Sequence, residues 1–256
     1  MRMTTIAPSP ELASLVRSFT IVESDAEVTR TLLPETGALL GIRYGGVAAL
    51  IEHGKATVLP EVTLTGMRNT VRRMRTSAGG GVIVTSFHED GAGLLFGVPM
   101  HLLFNEVIGA DHFASAEDLE ELRVAVVTAK DLVTRVWALE QFLLARKASG
   151  RRDLTVLAAV RAMRVARGAI SIRSLAAGLG LSQDRLEKRF RQVVGASPKR
   201  YCSILRLRYV LAGSQTRSLV ELALEAGYYD QSHFVREFRA VTGEPPRKFF
   251  GSIEYC

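Results

Sequence analysis

Two cysteines, Cys202 and Cys256, occur in 256 residues, and that scarcity excludes a disulfide framework and points to a reducing cytoplasm. No uninterrupted apolar run reaches the ~18–20 residues that cross a bilayer, so no membrane partner is expected. The N-terminus, MRMTTIAPSPELAS, has no apolar stretch suited to a secretory signal. Histidine is also sparse: His53, His88, His101, His112 and His233 are scattered, with no H-x-H and no H-E-x-x-H. No metal site and no cofactor are therefore expected. His88 and Glu89 are adjacent, and on a strand their side chains would point to opposite faces. GAGLLFG (91–97) misses G-x-G-x-x-G spacing by one residue, and reads as a glycine-rich turn or strand bend. No G-x-S-x-G elbow is present. The expectation is a chain that is not an enzyme.

What is present is ordinary globular material, 47% apolar and 23% charged, enough for sizeable cores. The length allows one large domain or two ordinary ones. The net charge of +7 is unevenly spread. Residues 149–256 hold 19 Lys and Arg against 9 Asp and Glu, while residues 1–148 hold 14 against 17. All of the excess positive charge lies at the C-terminal end, which makes that end an electrostatic candidate for phosphate backbones. A solvated basic surface is the plain alternative.

The first part reads as short antiparallel strands: SFTIVES (18–24), ALLGIRYGG (38–46), EVTLTGM (61–67), TVRRMRT (70–76) and GGVIVTSF (80–87). They are rich in Val, Ile, Thr, Phe and Tyr and punctuated by Gly and Pro, as in a sandwich or barrel. Two helices are expected next, over 117–127 and 129–148. In the second, Leu132, Val136, Leu139 and Leu143 recur at the spacing of one buried stripe. Trp137 lies beside that stripe, either packed in the fold or at a dimer seam. The arginines Arg72, Arg73 and Arg75 on one strand either bind an anionic effector or form a solvated face. After a break at ASGRRD (148–153) the pattern is wholly helical. Gly168 suits a left-handed cap, Ser171 and Ser182 suit N-caps, and Pro198 suits a first turn in a helix that stops at Gly213. Ser218 and Glu221 have capping-box spacing, and Asp230 suits the cap of the last long helix. The expected division is 1–115, β-rich; 116–148, helical; and 149–256, all helical.

An internal repeat organises that last part. LAAGLG (175–180) aligns with LALEAG (222–227) at an offset of 47, and the helices that follow align at 48. Leu186 pairs with Phe234, Phe190 with Phe238, Gly195 with Gly243, Pro198 with Pro246 and Tyr201 with Phe249. A short helix, a tight glycine turn and a second helix thus occur twice. That is a helix-turn-helix pattern, whose second helix enters a major groove.

Residues 150–250 resemble the AraC-type (AraC/XylS) transcription regulators. The second unit carries A-x-x-x-G-Y-x-D-Q-S-H-F-x-R-x-F-R from Ala223 to Arg239, followed by G-x-x-P at Gly243 and Pro246. The first supplies SLAAGLGLSQDRLEKRFRQVVGASPKRY, and the helix between contains LRLRYVLA; Val210 departs from the small residue expected there. The resemblance implies an α+β protein with an N-terminal β-rich, cupin-like domain. A helical segment follows, then an all-α domain of two helix-turn-helix units joined by a linker helix. SPELASLVRSFTIVES, LPETG (33–37) and LLFGVPMHLLFNEVIG (94–109) are the N-terminal cues. In the relatives such a domain senses a small molecule and contributes dimer contacts. The implied partners are double-stranded DNA, a small-molecule effector, a second copy of the chain and RNA polymerase. Some relatives carry a methyl-accepting repair domain with a nucleophilic cysteine, and residues 1–201 contain none.

The apolar positions of each second helix are spent on packing, which leaves the groove-facing candidates. In the second unit these are Gln231, Ser232, Val235 and Arg236. Arg236 can grip guanine bidentately, Gln231 suits adenine and Val235 suits a thymine methyl. The first-unit equivalents are Gln183, Asp184, Glu187 and Lys188. Asp184 and Glu187 either accept from cytosine N4 or merely cap and pair with Arg185 or Arg191. Phosphate candidates are Arg185, Arg189, Arg191, Arg200, His233, Arg239, Arg247 and Lys248. His233 either braces the turn with Tyr228 and Tyr229 or reaches the DNA. Two other function classes stay open: a dimeric regulator without an effector, and an enzyme built on the N-terminal barrel.

Overall fold

A computed structural model describes residues 1–52, 54–146, 150–214 and 216–252. His53, Cys256 and the expected helix end at 147–148 lie outside them. The strands are β1 (Arg2–Ile6), β2 (Val16–Ser24), β3 (Val28–Leu32), β4 (Leu39–Gly45), β5 (Ala48–Glu52), β6 (Lys55–Val58), β7 (Val62–Thr65), β8 (Arg72–Thr76), β9 (Gly80–Phe87) and β10 (Val107–Gly109). They form two antiparallel sheets, one in the order β1-β2-β9-β4-β7-β10 and one in the order β3-β8-β5-β6. The five expected strands are β2, β4, β7, β8 and β9. The other five carry little signal of their own: β6 is exposed along its whole length, β10 has three residues, and β1 is a mostly exposed edge. For these three, hydrogen bonds from a neighbouring strand, rather than a buried face, make the strand.

The helices of the first half are α1 (Gly91–Phe96), α2 (Ala116–Thr128) and α3 (Leu132–Leu144). The expectation of a turn or strand bend at 91–97 is corrected. The segment winds into a helix, with Leu94 N–H donating to the Asp90 carbonyl at 3.0 Å, and Gly97 closes it in the left-handed region. α3 starts three residues later than expected, because Asp131 caps it by accepting from Thr134 N–H at 2.8 Å. The six-stranded sheet uses its two faces differently. Phe19, Leu40, Leu64, Ile83 and Phe87 pack with Val136, Leu139 and Leu143 of α3 in one core. The residues between them on the same strands, such as Thr20, Gly41, Thr63 and Val84, face the other way, across to the four-stranded sheet. They are small, so the two sheets enclose a cavity of about 530 Å³. Trp137 is 59% exposed on α3, so the reading that packs it inside the fold is corrected.

The second half holds α4 (Leu154–Val165), α5 (Ile172–Gly178), α6 (Gln183–Val194), α7 (Pro198–Gly213), α8 (Leu219–Glu225), α9 (Gln231–Thr242) and α10 (Pro246–Ser252). The caps at Ser171, Ser182 and Asp230 form as expected. Ser218 makes no side-chain cap bond, so the capping box expected there is corrected. The sequence repeat is also a packing repeat. Phe190 meets Tyr201 edge-on at 5.5 Å in one core, and Phe238 meets Phe249 edge-on at 5.2 Å in the other. Val210 is fully buried in the second core, beside Leu207 and Phe238. Both cores recruit residues from the β-rich part: Met67 and Phe104 join the first, Leu33 and Val71 the second. Gly195 ends α6 at φ +95°, and a Cβ there would stand 2.8 Å from the Met100 carbonyl oxygen. It serves both as a left-handed cap and as a point where the halves touch.

Candidate nucleic-acid interface

Each helix-turn-helix unit fastens its second helix to the helix that precedes the unit. In the first, Arg189 of α6 donates two bonds to Asp153, the cap of α4, at 2.8 and 2.6 Å. In the second, the repeat-equivalent position is Glu237 of α9. It accepts from Arg206 of α7 at 2.9 and 3.3 Å and from Ser203 at 3.2 Å. The charges are reversed, but the mechanical result is the same. Burial pushes the Glu237 carboxyl up, yet the Arg206 guanidinium outweighs it and holds the group below its ordinary value. Burial pushes the Tyr228 hydroxyl beside it up to about 12.

These bonds sort the candidates. Gln183, Asp184, Lys188, Gln231, Ser232 and Arg236 are exposed along the outer side of α6 and α9, away from the buried Leu186, Phe190, Phe234 and Phe238. Val235 is half-buried against the second core. Glu187 accepts from Gln183 Nε2 at 3.1 Å and from Arg191 at 3.1 Å, which is the pairing arrangement. Among the phosphate candidates, Arg185, Arg239 and Arg247 are exposed. Lys248 pairs with Glu244 at 2.9 Å. Arg189 is occupied by Asp153, and Arg200 lies over the Phe104 ring, 5.1 Å from its centroid. His233 spans the turn: its Nδ1 accepts from Tyr229 N–H at 3.3 Å, its Nε2 lies 3.4 Å from Glu237, and its ring meets Tyr228 edge-on. Tyr228 is buried, whereas Tyr229 is 89% exposed at the mouth of the turn.

A second polar cluster, with no sequence signal beyond a lone acidic pair, joins the halves. Glu89, just past the end of β9, accepts from Tyr201 at 2.6 Å, Arg164 at 2.5 Å and Arg17 at 2.8 Å. Asp90 next to it receives two bonds from Arg152 at 2.7 and 2.9 Å. Because β9 stops at Phe87, the alternation expected for a strand does not apply to His88 and Glu89. Among the described residues no group of three or more His, Cys, Asp or Glu could hold a metal ion.

Residues 175–252 match the family model described as "Helix-turn-helix domain". A search of curated proteins gives no match. Among solved structures, ToxT from Vibrio cholerae O395 is 14% identical, with 93% of this chain and 98% of that chain covered and a TM-score of 0.48. Unsaturated fatty acid bound wild-type ToxT from Vibrio cholerae strain SCE256 is 13% identical, with 94% and 98% covered and a TM-score of 0.47. The AraC-like transcriptional activator CuxR is 14% identical, with 87% and 91% covered and a TM-score of 0.33. The family match falls on the segment where the geometry places both units, so residues 175–252 are a helix-turn-helix domain.

Proposed function

We propose that the chain reads a specific site by laying α6 and α9 in successive major-groove segments of double-stranded DNA, ~34 Å apart. The observation that carries this reading is that one unit is packed twice, on either side of α7, each time leaving the early outer face of its second helix exposed. Gln183, Asp184, Lys188, Gln231, Ser232, Val235 and Arg236 contact base edges. Arg185, Arg191, Arg239, Arg247 and Lys248 contact phosphates. Glu187 orients Gln183 and Arg191. Arg189, Arg200 and His233 support the scaffold rather than the DNA.

Residues 1–148, in this reading, sense a small molecule in the cavity between the sheets and contribute contacts to a homodimer. The cavity supports the first part, since Arg208, Leu211 and Ala212 of α7 line it. Exposed Val133 and Trp137 on α3 support the second. RNA polymerase is the downstream partner and the cytoplasm the compartment. No catalytic role belongs to the reading. No helix among the described residues is long and apolar enough to cross a membrane. Selection of bound duplexes from a random pool, followed by footprinting, tests the reading. Two protected major-groove segments one turn apart are expected for each chain; a single segment would sink it.

A further inference from the structure

The cavity between the sheets has mainly apolar walls, from residues such as Val22, Leu50, Leu59, Met74 and Val84, yet four arginines line it. Two have partners within the fold. Arg43 donates through one terminal nitrogen to the carbonyls of Leu59 and Pro60 at 3.1 and 3.4 Å, although its Nε is buried without a partner, and Arg208 pairs with Glu35 at 2.5 Å. The other two have no ion-pair partner among the described residues. Arg30, on β3, is 8% exposed, and its Nε is buried without a hydrogen-bond partner. Arg68, three residues beyond β7, is 4% exposed and has no ion-pair partner among the described residues. The acids whose charge reaches Arg68 are Glu35 and Glu52. Both have other partners, Glu35 in Arg208 and Glu52 in Arg72 at 3.3 Å. Burial, then the charge of Arg72, pushes the Arg68 guanidinium down to about 10.

A buried cation without a counterion costs folding free energy, and a guanidinium is always charged at neutral pH. A chain that needed only a closed fold could place leucine or methionine at both positions. A planar guanidinium presents paired N–H donors that match a carboxylate or a similar oxyanion. The rest of the cavity offers apolar surface, and the volume lies within the usual range for small-molecule sites.

We propose that the cavity binds a small amphiphile whose anionic head sits on Arg68, with Arg30 as second donor, and whose apolar body lies along the inner faces of the two sheets. The proposal rests on the reading of this cavity as an effector site and names the chemical class of the effector. Leu211 and Ala212 of α7 line the same space, so the bound molecule touches the rod that carries both helix-turn-helix units. Binding then favours the arrangement in which α7 closes the cavity, by the differential affinity of the ligand for that arrangement.

The test uses the full chain and four probes: decanoate, decanol, decyltrimethylammonium and inorganic phosphate. Calorimetric titration and thermal unfolding are the readouts. Decanoate is expected to bind and raise Tm, with decanol and the ammonium at least tenfold weaker and phosphate alone without effect. Arg68→Gln is expected to lower decanoate affinity at least tenfold and Arg30→Gln severalfold, while decanol binding is unchanged. Without ligand both variants are expected to unfold at a higher temperature than the parent, because each removes an unpaired buried charge; Arg68→Lys retains part of the decanoate affinity. Three results overturn the proposal: decanol binding as tightly as decanoate, phosphate alone binding as tightly as decanoate, or Arg68→Gln lowering Tm and leaving decanoate affinity intact. The first leaves the cavity as an effector site of another class. Failure of every probe removes the proposal together with its support for an effector. DNA binding, measured on the same preparations by mobility shift, stands or falls separately.

Discussion

Tyr201 donates its hydroxyl to Glu89 at 2.6 Å, and through this bond the aromatic tail of the first helix-turn-helix unit is fastened to the end of β9. Arg164 of α4 and Arg17 of β2 reach the same carboxylate oxygen. One buried acid therefore ties the larger sheet to the two helices that frame the first unit. Burial alone would raise the Glu89 carboxyl, but Arg17, Tyr201 and Arg164 together hold it below its ordinary value.

Glu89→Gln is expected to destabilise the chain by ~3–5 kcal/mol, since it leaves partly buried guanidinium groups without their counter-charge. Urea unfolding monitored by circular dichroism measures this. A loss below half of one kcal/mol would show that the cluster is not what joins the halves.

The same carboxylate sets a pH dependence. Its folded value is lowered, so its contribution to stability is complete above the ordinary carboxylate value of ~4.3 and is lost as pH falls below that toward the folded value. The difference in stability between parent and Glu89→Gln is therefore expected to be constant at neutral pH and to shrink on acidification below pH ~4. A difference that grows on acidification would contradict the sign.

Arg236 is exposed on the outer face of α9, free of the bonds that occupy Arg189 and Arg206. Arg236→Ala is expected to cost ~1–3 kcal/mol at one base pair and to relax choice there. Arg191→Ala is expected to weaken binding to all sequences alike and to reduce the slope of log affinity against log salt by about 1. Mobility shifts on the selected site and its single-base variants separate the two. Unchanged selectivity for Arg236→Ala would remove it from base reading.

Glu237→Ala cuts the tie between α9 and α7 while leaving the exposed face of α9 unaltered. Affinity for the selected site is expected to fall at least tenfold, with the preferred sequence unchanged, because the helix loses its fixed angle rather than its contacts. A changed preference at one base would place Glu237 in the groove instead.

How much was legible in the sequence differs between the halves for a physical reason. Helical units are built from contacts between residues near in sequence, so caps, glycine turns and the i, i+4 apolar pairs stand in the chain as written. The repeat aligns Phe190 with Phe238 and Tyr201 with Phe249, and the structure packs Phe190 on Tyr201 and Phe238 on Phe249 as equivalent pairs. The short strands were not legible, because β6 and β10 exist by virtue of neighbours such as β5 and β7. The capping box at Ser218 had the spacing but lacks the bond.

The sequence by itself determined that residues 150–250 carry one element twice and which side of each second helix is packed. Those are consequences of period and composition along a single stretch. Only the tertiary structure decided that Glu187 is paired with Arg191, that Arg189 is held by Asp153, and that Glu89 joins the halves. It alone brought Arg30 and Arg68 to the lining of one cavity, with no ion-pair partner for either among the described residues. Those pairings join residues whose distance in the chain bears no relation to their distance in space. Burial and counter-charge belong to that space and leave no period behind for a sequence to show.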